Sequence, residues 1–205
     1  MRELYRDRWL LVVDKPAGLP TQPAPGSASD LYALLCAAEP YVGLHHRLDQ
    51  AASGLVLVTL DPSVNAAIAQ GFREHAIRRL YRAVATGEVR DGTWDRPIDG
   101  KAAKTQVRRV GHRGGATAIE CALHTGRHHQ IRVHAAMAGR PLVGDRRYGG
   151  RRHPRLALHG ARLEWTHPIT GEEIRVDSPL PDELLAAWEA AGGERAAAGG
   201  IDREE

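Results

Sequence analysis

Residues 53–75 read SGLVLVTLDPSVNAAIAQGFREH, and this stretch decides the fold class. GLVLVTL is a short apolar run rich in Leu and Val, which predicts a buried strand rather than a helix. Asp61 is suited to cap a helix and Pro62 to occupy its first position, so a helix is expected from Pro62 to about His75. Upstream, WLLVVDKPAG (9–18) reads as a second buried strand ending at Asp14, with a turn after it. TQPAPGSAS is a loop, and SDLYALLCAAE has helical apolar spacing. Downstream, IRRLYRAVATG predicts a strand with Leu80 and Tyr81 near its middle. Residues 88–115 are rich in Gly and charge, with one strand expected at KTQVRRV, and ATAIECALH alternates as a further strand. RHHQIRVHAAMAG predicts a helix closed by Gly139. RLALHGARLEWTHP and EEIRVDSP flank an Ile-Thr-Gly turn as a hairpin, and PDELLAAWEAAGG is a last helix. Strands and helices mix without regular alternation, and no internal repeat is present, so the fold class is α+β.

The chain has 205 residues, which suits a single domain over residues 1–191. The tail 192–205 has little to bury and is expected to be disordered. At 42% hydrophobic and 26% charged, the composition is that of an ordinary globular protein. No apolar run is long enough to span a bilayer and no secretory signal is evident, so a cytoplasmic location is expected. Cys36 and Cys121 show no paired spacing and are expected to be two buried thiols. The formal net charge is +3, rising to +5 without the tail, and 25 of the 28 basic residues are Arg. That excess is compatible with a polyanionic partner, and Arg suits phosphate and base contacts. Biased Arg usage accounts for it equally well.

Two clusters could carry chemistry. In HHRLDQAASG (45–54), Asp49 precedes the buried strand and stands beside Arg47. Such a carboxylate can act as a nucleophile or base. Taken alone, it reads more readily as a residue that caps the loop and pairs with Arg47. In TGRHHQIRVHAAMAGRPLVGDRRYG (125–149), helical spacing puts His129, Arg132 and Ala136 on one face, leaving room above Arg132. His124, His128, His129 and His134 crowd together, yet neither an HExxH pattern nor a cysteine pair supports zinc. No glycine-rich phosphate loop is present. Tyr81 alone reads as a core aromatic. DGKAAKTQVRRVGHR is a basic stretch suited to phosphate contact, or simply a solvated loop.

Together and in order, VVDKPAGLP, HHRLDQAASGLVLVTLD, IRRLYRAVATG, LHTGRHHQIRVHAAMAGRPLVGDRRYG and LALHGARLEWTHPITGEEIRVDSPLPDEL resemble the RluA-type family of RNA pseudouridine synthases. The resemblance covers roughly residues 9–190. It implies the pseudouridine synthase catalytic fold, a mixed and largely antiparallel central sheet with flanking helices and loops. It also implies the isomerisation of uridine to pseudouridine in structured RNA (23S ribosomal RNA or transfer RNA), without cofactor or metal. By the same resemblance Asp49 is the essential aspartate, Tyr81 the active-site tyrosine and Arg132 the arginine that pairs with the aspartate. Arg47 would help fill the gap left by a flipped uridine. His46, Lys15, Lys104, Arg127 and Gln130 are the further expected RNA contacts. A monomer is expected, with no membrane partner and no room for an N-terminal S4 RNA-binding domain.

The chain departs from the family's usual HRLDRDTSG. Gln50 and Ala51 replace a charged pair and Ala52 replaces a Thr, while His128 stands where Thr is frequent. These changes bear on the choice of target more than on the reaction. Two readings stand beside the enzyme: a non-catalytic RNA-binding or RNA-folding factor, and a zinc hydrolase built on the histidines.

Overall fold

The computed structural model describes residues 1–194 and the backbone of 201–203. In chain order the strands are β1 (Arg2–Arg6), β2 (Leu10–Lys15), β3 (Gly43–Leu44), β4 (Ser53–Thr59), β5 (Arg78–Thr86), β6 (Gly92–Trp94), β7 (Thr105–Arg113), β8 (Ala116–Leu123), β9 (Leu158–Thr166), β10 (Glu173–Asp177) and β11 (Ile201–Arg203). The helices are α1 (Leu31–Ala38), α2 (Asn65–Arg73), α3 (Gln130–Met137) and α4 (Asp182–Ala190). The class is α+β, as the element order predicts. The chain forms two compact units, one of Met1–Arg78 and Gly160–Ser178 with β11, the other of Arg79–His159 with the segment from Pro179 through α4.

In the first unit the strands run in the order β1-β2-β4-β9, with β10 on β9. The pairs β1/β2, β2/β4, β3/β4 and β9/β10 are antiparallel. All seven residues of β4 are buried, as its apolar run requires. Leu55 and Leu57 join Leu10 and Val12 of β2, Trp165 of β9 and Val176 of β10 in one cluster. Ile68 and Phe72 of α2, one helical turn apart, close it. Val56 and Val58 alternate to the other face and are equally buried. Gly54 has φ +121, and a Cβ there would lie 2.3 Å from the Gly160 carbonyl oxygen, so only glycine lets β4 approach β9 this closely. Asp61 caps as expected, accepting from the Ser63 amide at 2.8 Å. The turn it starts, Pro62–Val64, is 3-10 before α2 begins.

In the second unit the order is β5-β8-β7-β6, antiparallel throughout. Glu120 of β8 stands opposite both Arg82 and Arg108 and pairs with both guanidinium groups, at 3.2 and 2.6 Å. Leu184 and Trp188 of α4 pack with Val84, Ala118 and Val143 in this unit's core.

Several expectations are corrected. The helix predicted from Arg127 begins at Gln130, because His129 sits in the left-handed region at φ 54 and cannot continue it backwards. Cys36 is exposed on α1; only Cys121 is buried, and burial pushes its thiol pKa up. The strands β1, β3 and β6 were not anticipated. Three of the five residues of β1 are charged, and β3 and β6 are two and three residues long, too short for periodicity to register. Within the tail expected to be disordered, Ile201–Arg203 pair with β10. Residues 195–200 and 204–205 lie outside the described residues.

Candidate active site

Asp49 lies in a half-buried turn whose first carbonyl, its own, accepts from the Ala52 amide at 3.1 Å. The residues on either side are pinned. Thr21 Oγ1 donates to the Leu48 carbonyl at 2.8 Å and accepts from the Leu48 amide at 3.1 Å. The Gln50 carbonyl accepts from the Gly18 amide at 2.8 Å, and Gln50 Nε2 donates back to the Gly18 carbonyl at 3.1 Å. Beneath both loops sits Lys15, with no exposed surface. Its Nζ donates to the carbonyls of Leu19 and Ala52 at 2.7 Å and of Pro16 at 2.9 Å, with that of Gln50 at 3.4 Å. An ammonium has three protons to give, and main-chain oxygens take them here. Lys15, expected as an RNA contact, here ties the Asp49 turn to the loop after β2 and presents no charge to solvent.

His46 is committed to the same unit. Its Nε2 accepts from the Leu57 amide at 2.8 Å, and its ring stacks on Phe72 at 4.4 Å. Arg47, one residue on, is exposed and has no ion-pair partner among the described residues. The sequence-based alternative of an Asp49 paired to Arg47 does not occur.

In the second unit Arg132 projects from α3 and is only 7% exposed. Its Nε donates to Asp145 Oδ2 at 2.7 Å and its Nη2 to Asp145 Oδ1 at 2.9 Å, a forked pair. The Asp145 side chain is fully buried. Arg132 Cζ also stands 5.1 Å from the centre of the Tyr148 ring, and the Tyr148 hydroxyl meets His129 Nδ1 at 3.1 Å. Asp145 and Tyr148 went unnoticed in the sequence. Their signal was the glycine frame of GDRRYG within the family block. Gly144 has φ +78, and a Cβ on Gly144 or Gly150 would fall 1.9 Å from a carbonyl oxygen.

Tyr81 is buried on β5, opposite Cys121 of β8. Gln130, an expected RNA contact, is bonded internally. It is 3% exposed, accepts from Thr125 Oγ1 and the Arg127 amide, and donates to the Lys104 carbonyl and Thr105 Oγ1. Those four bonds exhaust a primary amide and shape the turn that starts α3. The side chains of Lys104 and Arg127 are exposed, with Arg127 Nε bonded to the Ala102 carbonyl at 2.9 Å. The histidines do not converge. His134 is buried between Thr105 Oγ1 and the Arg96 carbonyl, while His128 and His129 stack on each other at 3.8 Å. Among the described residues no three His, Cys, Asp or Glu side chains are placed to hold a metal. No described helix is long and apolar enough to cross a membrane.

The architecture is shared with solved pseudouridine synthase domains. The human RNA Pseudouridylate Synthase Domain Containing 1 structure matches with a TM-score of 0.75 over 99% of this chain and 89% of that one, at 24% identity, which shows the fold. A family model described as RNA pseudouridylate synthase matches residues 9–137, and the chain belongs to that family. The chain is 37% identical over 219 residues to the ribosomal large subunit pseudouridine synthase D of Xanthomonas campestris, covering 88% of this chain and 66% of that protein. It is 37% identical over 227 residues to the protein of the same name from Neisseria meningitidis serogroup A, covering 88% of this chain and 58% of that one. It thus spans less than two thirds of the length of these relatives.

Proposed function

We propose that the chain is an RNA pseudouridine synthase that isomerises uridines in structured RNA. The observation that carries this is the family match over residues 9–137, a span that contains Asp49, Tyr81 and Arg132. The names of the relatives favour large-subunit ribosomal RNA as substrate, with transfer RNA the other candidate. The target uridine must leave its stack, since a stacked base hides the glycosidic bond. The N1–C1′ bond then breaks, the base turns, and C5 bonds to C1′; N1 gains a proton as C5 loses one. The reaction is an isomerisation and calls for no oxidant or nucleotide.

In this reading Asp49 is the carboxylate that works at the sugar, as nucleophile or base. Its turn is pinned by hydrogen bonds at Leu48 and Gln50, which supports such a role, because a misplaced carboxylate forfeits much of its effect. Tyr81 is the ring that packs on the base, and Arg132 supplies a fixed positive charge. Arg47, Lys104 and Arg127 are the exposed cations left to meet phosphate or to fill the vacated stack. The test is release of tritium from RNA labelled at uridine C5. Total RNA from a strain lacking the gene, labelled with tritiated uridine, contains every target of the missing enzyme. Wild-type protein should release tritium from it, and sequencing for pseudouridine should then map the position. No release and no new pseudouridine would overturn the reading.

A further inference from the structure

Resting on that reading, we infer that Asp145 and Tyr148 form a clamp that sets the plane of the Arg132 guanidinium, making Asp145 a positioning residue for the reaction. Asp145 takes Nε and Nη2, one fork of the guanidinium. Two parallel bonds fix both the position and the rotation of a planar group, which one bond cannot do. The Tyr148 ring lies 5.1 Å from Cζ and limits tilt out of that plane. The ring is itself held at its hydroxyl by His129, and its amide donates to Asp145 Oδ1 at 3.3 Å.

The loop that carries the clamp is built for it. The Asp145 amide donates to the Leu142 carbonyl at 3.1 Å, and the Gly150 amide donates to the Asp145 carbonyl at 2.8 Å. The Gly144 amide donates to the Arg151 carbonyl at 2.8 Å. Gly144 and Gly150 both stand where a Cβ would strike backbone. This backbone leaves the Asp145 side chain little choice of direction, and the carboxylate, fully buried, has a guanidinium as its counter-charge. A buried pair of this kind is weak evidence for stability, so its cost is better explained by specificity of geometry. Fixed this way, Arg132 holds its positive charge in one orientation and need not reorganise when charge develops in the reaction.

The experiment compares wild type with Asp145→Asn, Tyr148→Phe and Tyr148→Leu. It uses tritium release from the deletion-strain RNA and the 15Nε–Hε resonance of Arg132, assigned with Arg132→Lys. Asp145→Asn keeps the shape and loses the charge. It should lower kcat by about 100-fold with KM within about threefold, as a reacting group displaced by about 1 Å does, and its Arg132 resonance should shift and broaden. Tyr148→Phe keeps the ring, loses only its bond to His129 and should lose less kcat than Tyr148→Leu, which should lose about tenfold. A folded Asp145→Asn protein with wild-type kcat would overturn the clamp. So would an unmoved Arg132 resonance. If Asp145→Asn fails to fold, the Tyr148 pair decides: equal kcat in the Phe and Leu variants also overturns it. Failure of the enzyme reading is a separate result, namely no tritium release by wild type while its Arg132 resonance still responds to Asp145→Asn.

Discussion

Around Asp49 the buried charge is a cation, Lys15, and what it grips is main chain; around Arg132 the buried charge is an anion, Asp145, and what it grips is a side chain. The difference bears on what each region tolerates. Every residue has a carbonyl, so Lys15 can hold the turn after Asp49 whatever side chains stand there. That explains how Gln50, Ala51 and Ala52 can depart from the family's usual residues without loosening the turn: Lys15 and Gly18 bond to the carbonyls of positions 50 and 52. The Arg132 clamp reads side-chain identity and has no such latitude.

The comparison can be broken at either end. Asp145→Ala should have the largest effect, about 3–5 kcal/mol of stability, because it removes the forked counter-charge of a buried guanidinium; chemical denaturation measures it. Lys15→Met keeps the volume and leaves its carbonyls without their donor, and should cost about 2–3 kcal/mol. Its tritium release should fall further than its stability explains, since the Asp49 turn then moves. Arg47→Ala should leave stability unchanged, weaken RNA binding and lower the slope of log affinity against log salt by about 1. Gln50→Ala sharpens the contrast by doing least. It removes one exposed bond to Gly18, should cost about 0.5–1 kcal/mol at most, and should leave tritium release within about threefold. A large loss there would mean that the turn depends on its side chains after all.

The strands β2, β4, β5, β7, β8, β9 and β10 and the helices α1 to α4 were legible because burial on one or both faces writes a period into the sequence. Short edge strands such as β3 and β6 carry no such period. Of the candidate residues, Asp49, Tyr81 and Arg132 came from family order, since singly each reads as ordinary. The internal bonds of Lys15 and Gln130 were not legible, for a shared reason. A lysine or glutamine in a polar motif looks like a surface contact, and only three-dimensional structure reveals that main-chain carbonyls converge on Lys15 or that four partners surround Gln130. Asp145 was missed because its partner, Arg132, is 13 residues away across a loop, where no helical or strand period connects them.

The most direct test of the central claim compares wild type with Asp49→Asn on the same tritium-labelled RNA, with affinity measured in parallel. The expected result is that tritium release is abolished while RNA affinity stays within about threefold, because Asp49 does chemistry and the exposed cations do the binding. Wild-type release from a folded Asp49→Asn protein would contradict it.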